Sequence, residues 1–88
     1  MRVVVVTKDN TDYSRVVATF VDDVARQTGH VLEVIDPESR DGESFCRAYD
    51  IVEYPTIIAL SDSGQMQQMW RGTTLPTISE VSYYASQN

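Results

Sequence analysis

The sequence predicts an α/β domain: a four-stranded mixed sheet flanked by three helices, in the order β-α-β-α-β-β-α. Three observations carry this. The run Val3-Val4-Val5-Val6 is apolar at every position, as in a central strand covered on both faces. Behind it, apolar residues recur at helical spacing from Tyr13 to Val24. Toward the C-terminus, two uncharged extended runs flank Ser61-Asp62-Ser63-Gly64, which reads as a hairpin turn.

Each element has a local cause. The first strand covers Arg2 to Thr7. Lys8-Asp9-Asn10-Thr11 is turn and cap chemistry, with Thr11 or Asp9 expected as N-cap and Asp12 in the first helical turn. The first helix turns Tyr13, Val16, Val17, Phe20, Val21 and Val24 inward. Its other face carries Arg15, Asp22, Asp23 and Arg26, with Asp22 four residues before Arg26. Gly29 is the expected stop. A second strand runs from Val31 to Ile35 and ends at Asp36-Pro37. A short helix from Glu43 to Tyr49 is expected to bury Phe45, Ala48 and Cys46. The third strand is Ile57-Ile58-Ala59-Leu60, and Gln65 to Trp70 pairs back antiparallel until Gly72 breaks it. Thr77-Ile78-Ser79-Glu80 matches a capping box opening the last helix, whose apolar stripe is Ile78, Val81 and Tyr84 or Ala85. The first β-α-β should form a right-handed parallel unit.

The chain of 88 residues fits one domain, spanning 1–88. Hydrophobic residues at 42% and charged residues at 23% argue against a disordered chain. Seven basic and thirteen acidic side chains leave a net charge of −6, which speaks against nucleic acid or an anionic membrane as partner. No segment approaches the roughly 18 consecutive apolar residues of a spanning helix. The single cysteine, Cys46, excludes an intramolecular disulfide framework and points to a cytoplasmic location. With His30 as the lone histidine, a zinc site would need carboxylate help, and no cofactor is expected.

The stretch from Tyr49 to Leu60, read within this element order, resembles the thioredoxin superfamily. Tyr49, Ile51, Pro55, Thr56, Gly64 and Gly72 fall in register with the family pattern of short helix, Pro-Thr segment, strand, Gly turn, strand, Gly and final helix. The resemblance runs from Arg2 to the last helix, at the size of glutaredoxins and minimal phage-type members. It implies a sheet order of 2-1-3-4 and a cis Tyr54–Pro55 bond. It also implies a loop that offers backbone groups to an extended peptide.

The resemblance further implies a C-x-x-C redox pair at the start of the first helix. Setting Asp22-Asp23-Val24-Ala25 on the family's acidic-acidic-apolar-Ala segment puts Thr11-Asp12-Tyr13-Ser14 there, with Thr11 and Ser14 at the cysteine positions. A helix N-terminus lowers a thiol pKa enough to give a reactive thiolate. A hydroxyl is too weak an acid for the same field to ionise, and thiol–disulfide exchange needs sulfur. Val5 stands where redox-active members bury an acid, and their Trp before the pair is absent.

Cys46 reads as a small, half-buried hydrophobe, although Arg47 beside it would favour a modifiable thiol. Asp9, Asp12, Asp22 and Asp23 read as charged surface rather than a metal set. Ser14 and His30 are separated by roughly 24 Å of helix, which rules out a hydrolytic triad. Met66, Met69 and Trp70 on the last strand combine packing against the final helix with an adaptable apolar contact.

The sequence thus points to a non-catalytic thioredoxin-like interaction module. Its expected contact residues for a protein or peptide partner are Thr11, Asp12, Tyr13, Ser14, Tyr54, Pro55, Arg71, Gly72 and Thr73. It is expected as a monomer or weak dimer. Two alternatives stand beside this reading. One is a divergent redox or glutathione-linked protein acting through Cys46. The other is a structural subunit that self-associates through the Met66–Trp70 strand.

Overall fold

A computed structural model describes residues 1–87. Along the chain lie β1 (Arg2–Val6), α1 (Ser14–Thr28), β2 (Glu33–Ile35), α2 (Arg40–Ala48), β3 (Thr56–Leu60), β4 (Met66–Arg71) and α3 (Ile78–Ala85). The sheet order is β2-β1-β3-β4, as expected. β1 runs parallel to β2 and antiparallel to β3, and β3 runs antiparallel to β4.

The two central strands supply the core. Val3 to Val6 and Thr56 to Leu60 are all buried, and their side chains alternate between the sheet faces. Val3, Val5, Ile57 and Ala59 pack against Val17 and Val24 of α1 and Val81 of α3. On the opposite face, Val4, Val6, Ile58 and Leu60 meet Cys46 of α2 and Ile51. One face is therefore covered by α1 and α3, the other by α2.

α1 departs from expectation at its start. Its N-cap is Tyr13, which makes no side-chain cap bond, and the first turn holds no acidic residue. Asn10 adopts a left-handed φ of 58° and turns the chain ahead of the helix. The Thr11 hydroxyl then donates to the Lys8 carbonyl at 3.3 Å, and the Ser14 hydroxyl to the Thr11 carbonyl at 2.9 Å. Capping by Thr11 or Asp9 does not occur, because the local turn precedes the helix and Asp12 falls outside it. Val16 is 57% exposed, not buried. It projects about a quarter-turn from the Val17–Val24 direction, whereas Tyr13, Phe20 and Val21 lie close to it and pack inward. Arg26 pairs with Asp23 rather than Asp22. α1 ends at Gly29, whose amide donates to the Ala25 carbonyl at 2.9 Å.

β2 is shorter than Val31–Ile35, because only Glu33 to Ile35 find partners, on Val4 to Val6. α2 begins earlier than Glu43. Ser39 caps it by accepting from the Gly42 amide at 3.0 Å, while the Ser39 hydroxyl donates to the Asp36 carbonyl at 2.7 Å. Cys46 and Gly42 are its buried positions, and Ala48 faces water. Gly42 is tightly constrained: a Cβ there would overlap the Asp36 carbonyl oxygen. β4 sits one residue later than Gln65–Trp70, with an irregularity opposite Ala59 and Leu60. α3 carries the expected capping box. Thr77 Oγ1 accepts from the Glu80 amide at 3.1 Å, and the Glu80 carboxylate accepts from the Thr77 amide at 3.2 Å. Trp70 meets Tyr84 edge-on at 5.6 Å between ring centroids.

Candidate functional site

The sheet register brings three loops to one end of the molecule. Val6 pairs with Thr56, and Thr56 with Arg71, so the chain leaving β1, the chain entering β3 and the chain leaving β4 meet there. The Gly72 amide donates to the Pro55 carbonyl at 2.8 Å and holds the last two together. The Tyr54–Pro55 peptide bond is cis.

A cleft of about 330 Å³ opens at this junction, lined by Asp12, Tyr13, Val16, Val17, Pro55, Thr73 and Leu75. Its walls are mostly apolar, and Asp12 is the single charged group. Asp12, Tyr13, Pro55 and Thr73, all expected from the sequence, share this surface. Val16, Val17 and Leu75 complete it. Leu75 was legible as the lone large apolar residue of the loop between Gly72 and Pro76. Val16 was legible only once the helix direction was fixed.

The other sequence candidates lie elsewhere. Thr11 and Ser14 turn their hydroxyls onto the local turn, and Ser14 borders a separate hollow with Thr7, Lys8 and Val34. Arg71 is exposed on β4, its Nε donating to Met69 Sδ at 3.2 Å. Gly72 contributes its backbone, with the Glu53 carboxylate close by.

Tyr54 is turned away from the cleft. Continuing the β1–β3 register past Val6 and Thr56 puts Lys8 opposite Tyr54, and Lys8 Nζ lies 5.1 Å from the ring centroid. The ring packs on the α2 side, against the Cys46 cluster. Burial raises the Tyr54 phenol above its ordinary value, and the adjacent Cys46 thiol adds to the effect. Burial likewise pushes the Cys46 thiol up, partly offset by its hydrogen bond to Tyr54. Cys46 is 7% exposed rather than half-buried, and it sits within α2, with its carbonyl accepting from the Ile51 amide at 2.9 Å. Arg47 points outward to Glu43 at 2.7 Å and does not activate the thiol.

Among the described residues, no group of three or more His, Cys, Asp or Glu side chains is arranged to hold a metal ion. Among the same described residues, no helix is long and apolar enough to cross a membrane.

No protein-family model matches the sequence, and no curated protein matches it. Among solved structures, the chain is similar to thioredoxin 1 from the thermophilic eubacterium Thermosipho africanus. The TM-score is 0.67 at 19% identity, covering 96% of this chain and 89% of that one. It is also similar to a structure described as a malarial protein, with a TM-score of 0.69 at 17% identity, covering 92% of this chain and 90% of that one. At such identities the likeness concerns the backbone and not the chemistry. The four-stranded mixed sheet, its 2-1-3-4 order, the three flanking helices and these neighbours establish a thioredoxin-like fold.

Proposed function

We propose that this domain is a non-enzymatic module that binds an extended peptide segment of a protein partner in the cleft between Tyr13, Pro55 and Leu75. The observation that carries the reading is the cleft itself: an apolar recess at the junction of three loops, without a thiol in its wall. Three features support it. Tyr13 is half-buried at the mouth, an amphipathic ring of the kind that anchors interfaces. Val16 exposes an aliphatic side chain beside it. Asp12 adds one negative charge, which favours a ligand with an apolar side chain flanked by Lys or Arg.

The chemistry of Cys46 supports binding over catalysis. The attacking species in thiol exchange is the thiolate. Cys46 is buried among the residues of the α2 face, and its raised pKa keeps it protonated at neutral pH. Affinity capture from the native host, with Tyr13→Ala and Leu75→Ala as controls, tests the reading. A partner held by the parent and lost by both variants supports it. Turnover of insulin disulfides with dithiothreitol as reductant contradicts it.

A further inference from the structure

Thr7 continues β1 by one step, its amide donating to the Ile35 carbonyl at 3.1 Å. Strand alternation puts its side chain on the α1 side of the sheet, with Val3 and Val5. The Thr7 hydroxyl oxygen is buried, and among the described residues none offers it a hydrogen-bond partner. Buried polar atoms are nearly always paired, and an unpaired one costs free energy.

Thr7 stands in the wall of a hollow of about 200 Å³ between the end of β1, α1 and β2. This hollow is distinct from the Tyr13–Pro55–Leu75 cleft and shares only Val17 with it. Its apolar wall is Val17, Ala18 and Val21 of α1 and Val34 of β2. Val34 lies beside Val5 in the sheet and is 55% exposed. The Ser14 hydroxyl, also in the wall, is already committed to the Thr11 carbonyl at 2.9 Å, which leaves Thr7 as the available hydroxyl. The charges at the rim are negative. Asp9 and Asp22 are exposed there, and among the described residues neither is in an ion pair. Lys8 sends its ammonium to the Tyr54 ring, which packs on the α2 side.

We propose that this hollow binds a small phenolic amine, of the type of tyramine, as a free molecule. A cavity of about 150 Å³ already admits benzene, so this one has room for a single ring. A flat ring covers the Val17, Ala18, Val21 and Val34 surface with few rotatable bonds to freeze. The phenol hydroxyl pairs with Thr7 Oγ1. Thr7 is half-buried, so one staggered step about χ1 turns its hydroxyl to the ligand. The ammonium meets the carboxylates of Asp9 and Asp22. Each part of the ligand thus answers one feature of the wall: ring to apolar surface, hydroxyl to hydroxyl, cation to carboxylates.

The test is an amide NMR titration of the full chain, to millimolar ligand, with tyramine, phenethylamine, which lacks the hydroxyl, and p-cresol, which lacks the amine. Tyramine should shift the amides of Thr7, Ala18, Val21 and Val34 and leave those of Thr73 and Leu75 in place. It should bind roughly fivefold more tightly than phenethylamine, the worth of one neutral hydrogen bond. Thr7→Val should bind the two amines equally, and Thr7→Ser should keep the preference. Asp9→Asn combined with Asp22→Asn should weaken tyramine and leave p-cresol unchanged. Ala18→Leu, which fills the hollow from an exposed helix position, should abolish the shifts at Thr7 and Val34, and it carries the test if Thr7→Val fails to fold. Leu75→Ala should bind tyramine like the parent, which separates the hollow from the cleft. A parent that shows no shifts at millimolar tyramine overturns the proposal. So does equal binding of tyramine and phenethylamine by the parent, a folded Thr7→Val that keeps the preference, or a folded Ala18→Leu that binds normally.

Discussion

The Gly72 amide donates to the Pro55 carbonyl at 2.8 Å, one step beyond Thr56 and Arg71, the last paired residues of β3 and β4. Proline has no amide to return, so this pair carries a single bond. That bond places Thr73 and Leu75 beside Pro55 in the cleft wall.

Gly42 should be the least replaceable residue of α2. A methyl group there meets the backbone oxygen of Asp36, which cannot swing aside as a side chain would. Gly42→Ala is expected to destabilise by about 1–3 kcal/mol, the usual range for overpacking. Ser44→Ala, at an exposed position of the same helix, should change stability by less than about 0.5 kcal/mol. Urea denaturation of both variants checks this, and equal midpoints would refute it.

The Arg2–Glu33 pair should give a small stability difference that disappears in acid. Its hydrogen bond to Arg2 holds the Glu33 carboxyl below its ordinary value. The folded chain therefore binds fewer protons than the unfolded one across that window. The contribution is present above the unfolded carboxylate range and lost as pH falls through the depressed folded value. Both side chains are half-exposed, so Glu33→Gln should cost less than about 1 kcal/mol at neutral pH. Melting temperatures of parent and variant should converge in acid. A gap that widens there would reverse the sign.

Cys46 should resist alkylation until the chain opens. Its thiol is buried and its pKa is raised by that burial, so both access and thiolate fraction are low. Iodoacetamide at neutral pH should react on the order of 100-fold more slowly than with the urea-unfolded chain. The raised value also has a stability consequence. The folded state keeps its proton longer, so stability falls as pH rises from about 8.5, the unfolded thiol value, toward the folded one. Cys46→Ala should reduce that alkaline loss, with Tyr54 supplying the remainder. Alkylation of the native protein at the unfolded rate would refute this account of the thiol.

The fold was legible because its signals are redundant. The all-apolar Val3–Val6 run of β1, the Ser61–Gly64 turn and the Thr77–Glu80 capping box each name an element independently of the others. Boundaries were less legible where tertiary contacts decide them. Val31 has strand character, but no neighbour pairs with it, so β2 starts at Glu33. Ser39 looks like loop until Asp36 and Gly42 fold onto it. In the site, Tyr13 and Pro55 were legible, because one opens the helix and the other enters β3. The direction of Tyr54 was not. Strand parity sends its ring to the Cys46 side and sets Lys8 against it, a consequence of the β1–β3 register that no local pattern contains.

The central claim is that the Tyr13–Pro55–Leu75 cleft binds an extended segment of a partner. Its most direct test is calorimetric titration of a captured partner's binding segment into the parent, Tyr13→Ala, Tyr54→Ala and Arg26→Ala, with circular dichroism confirming that each variant is folded. Truncating an aromatic anchor commonly costs about 2 kcal/mol, so Tyr13→Ala should bind roughly 10- to 30-fold more weakly. Tyr54→Ala should lose less, because its ring lies on the α2 side. Arg26→Ala, on the water-facing side of α1 and paired with Asp23, should bind like the parent. A folded Tyr13→Ala that binds with parental affinity would contradict the account.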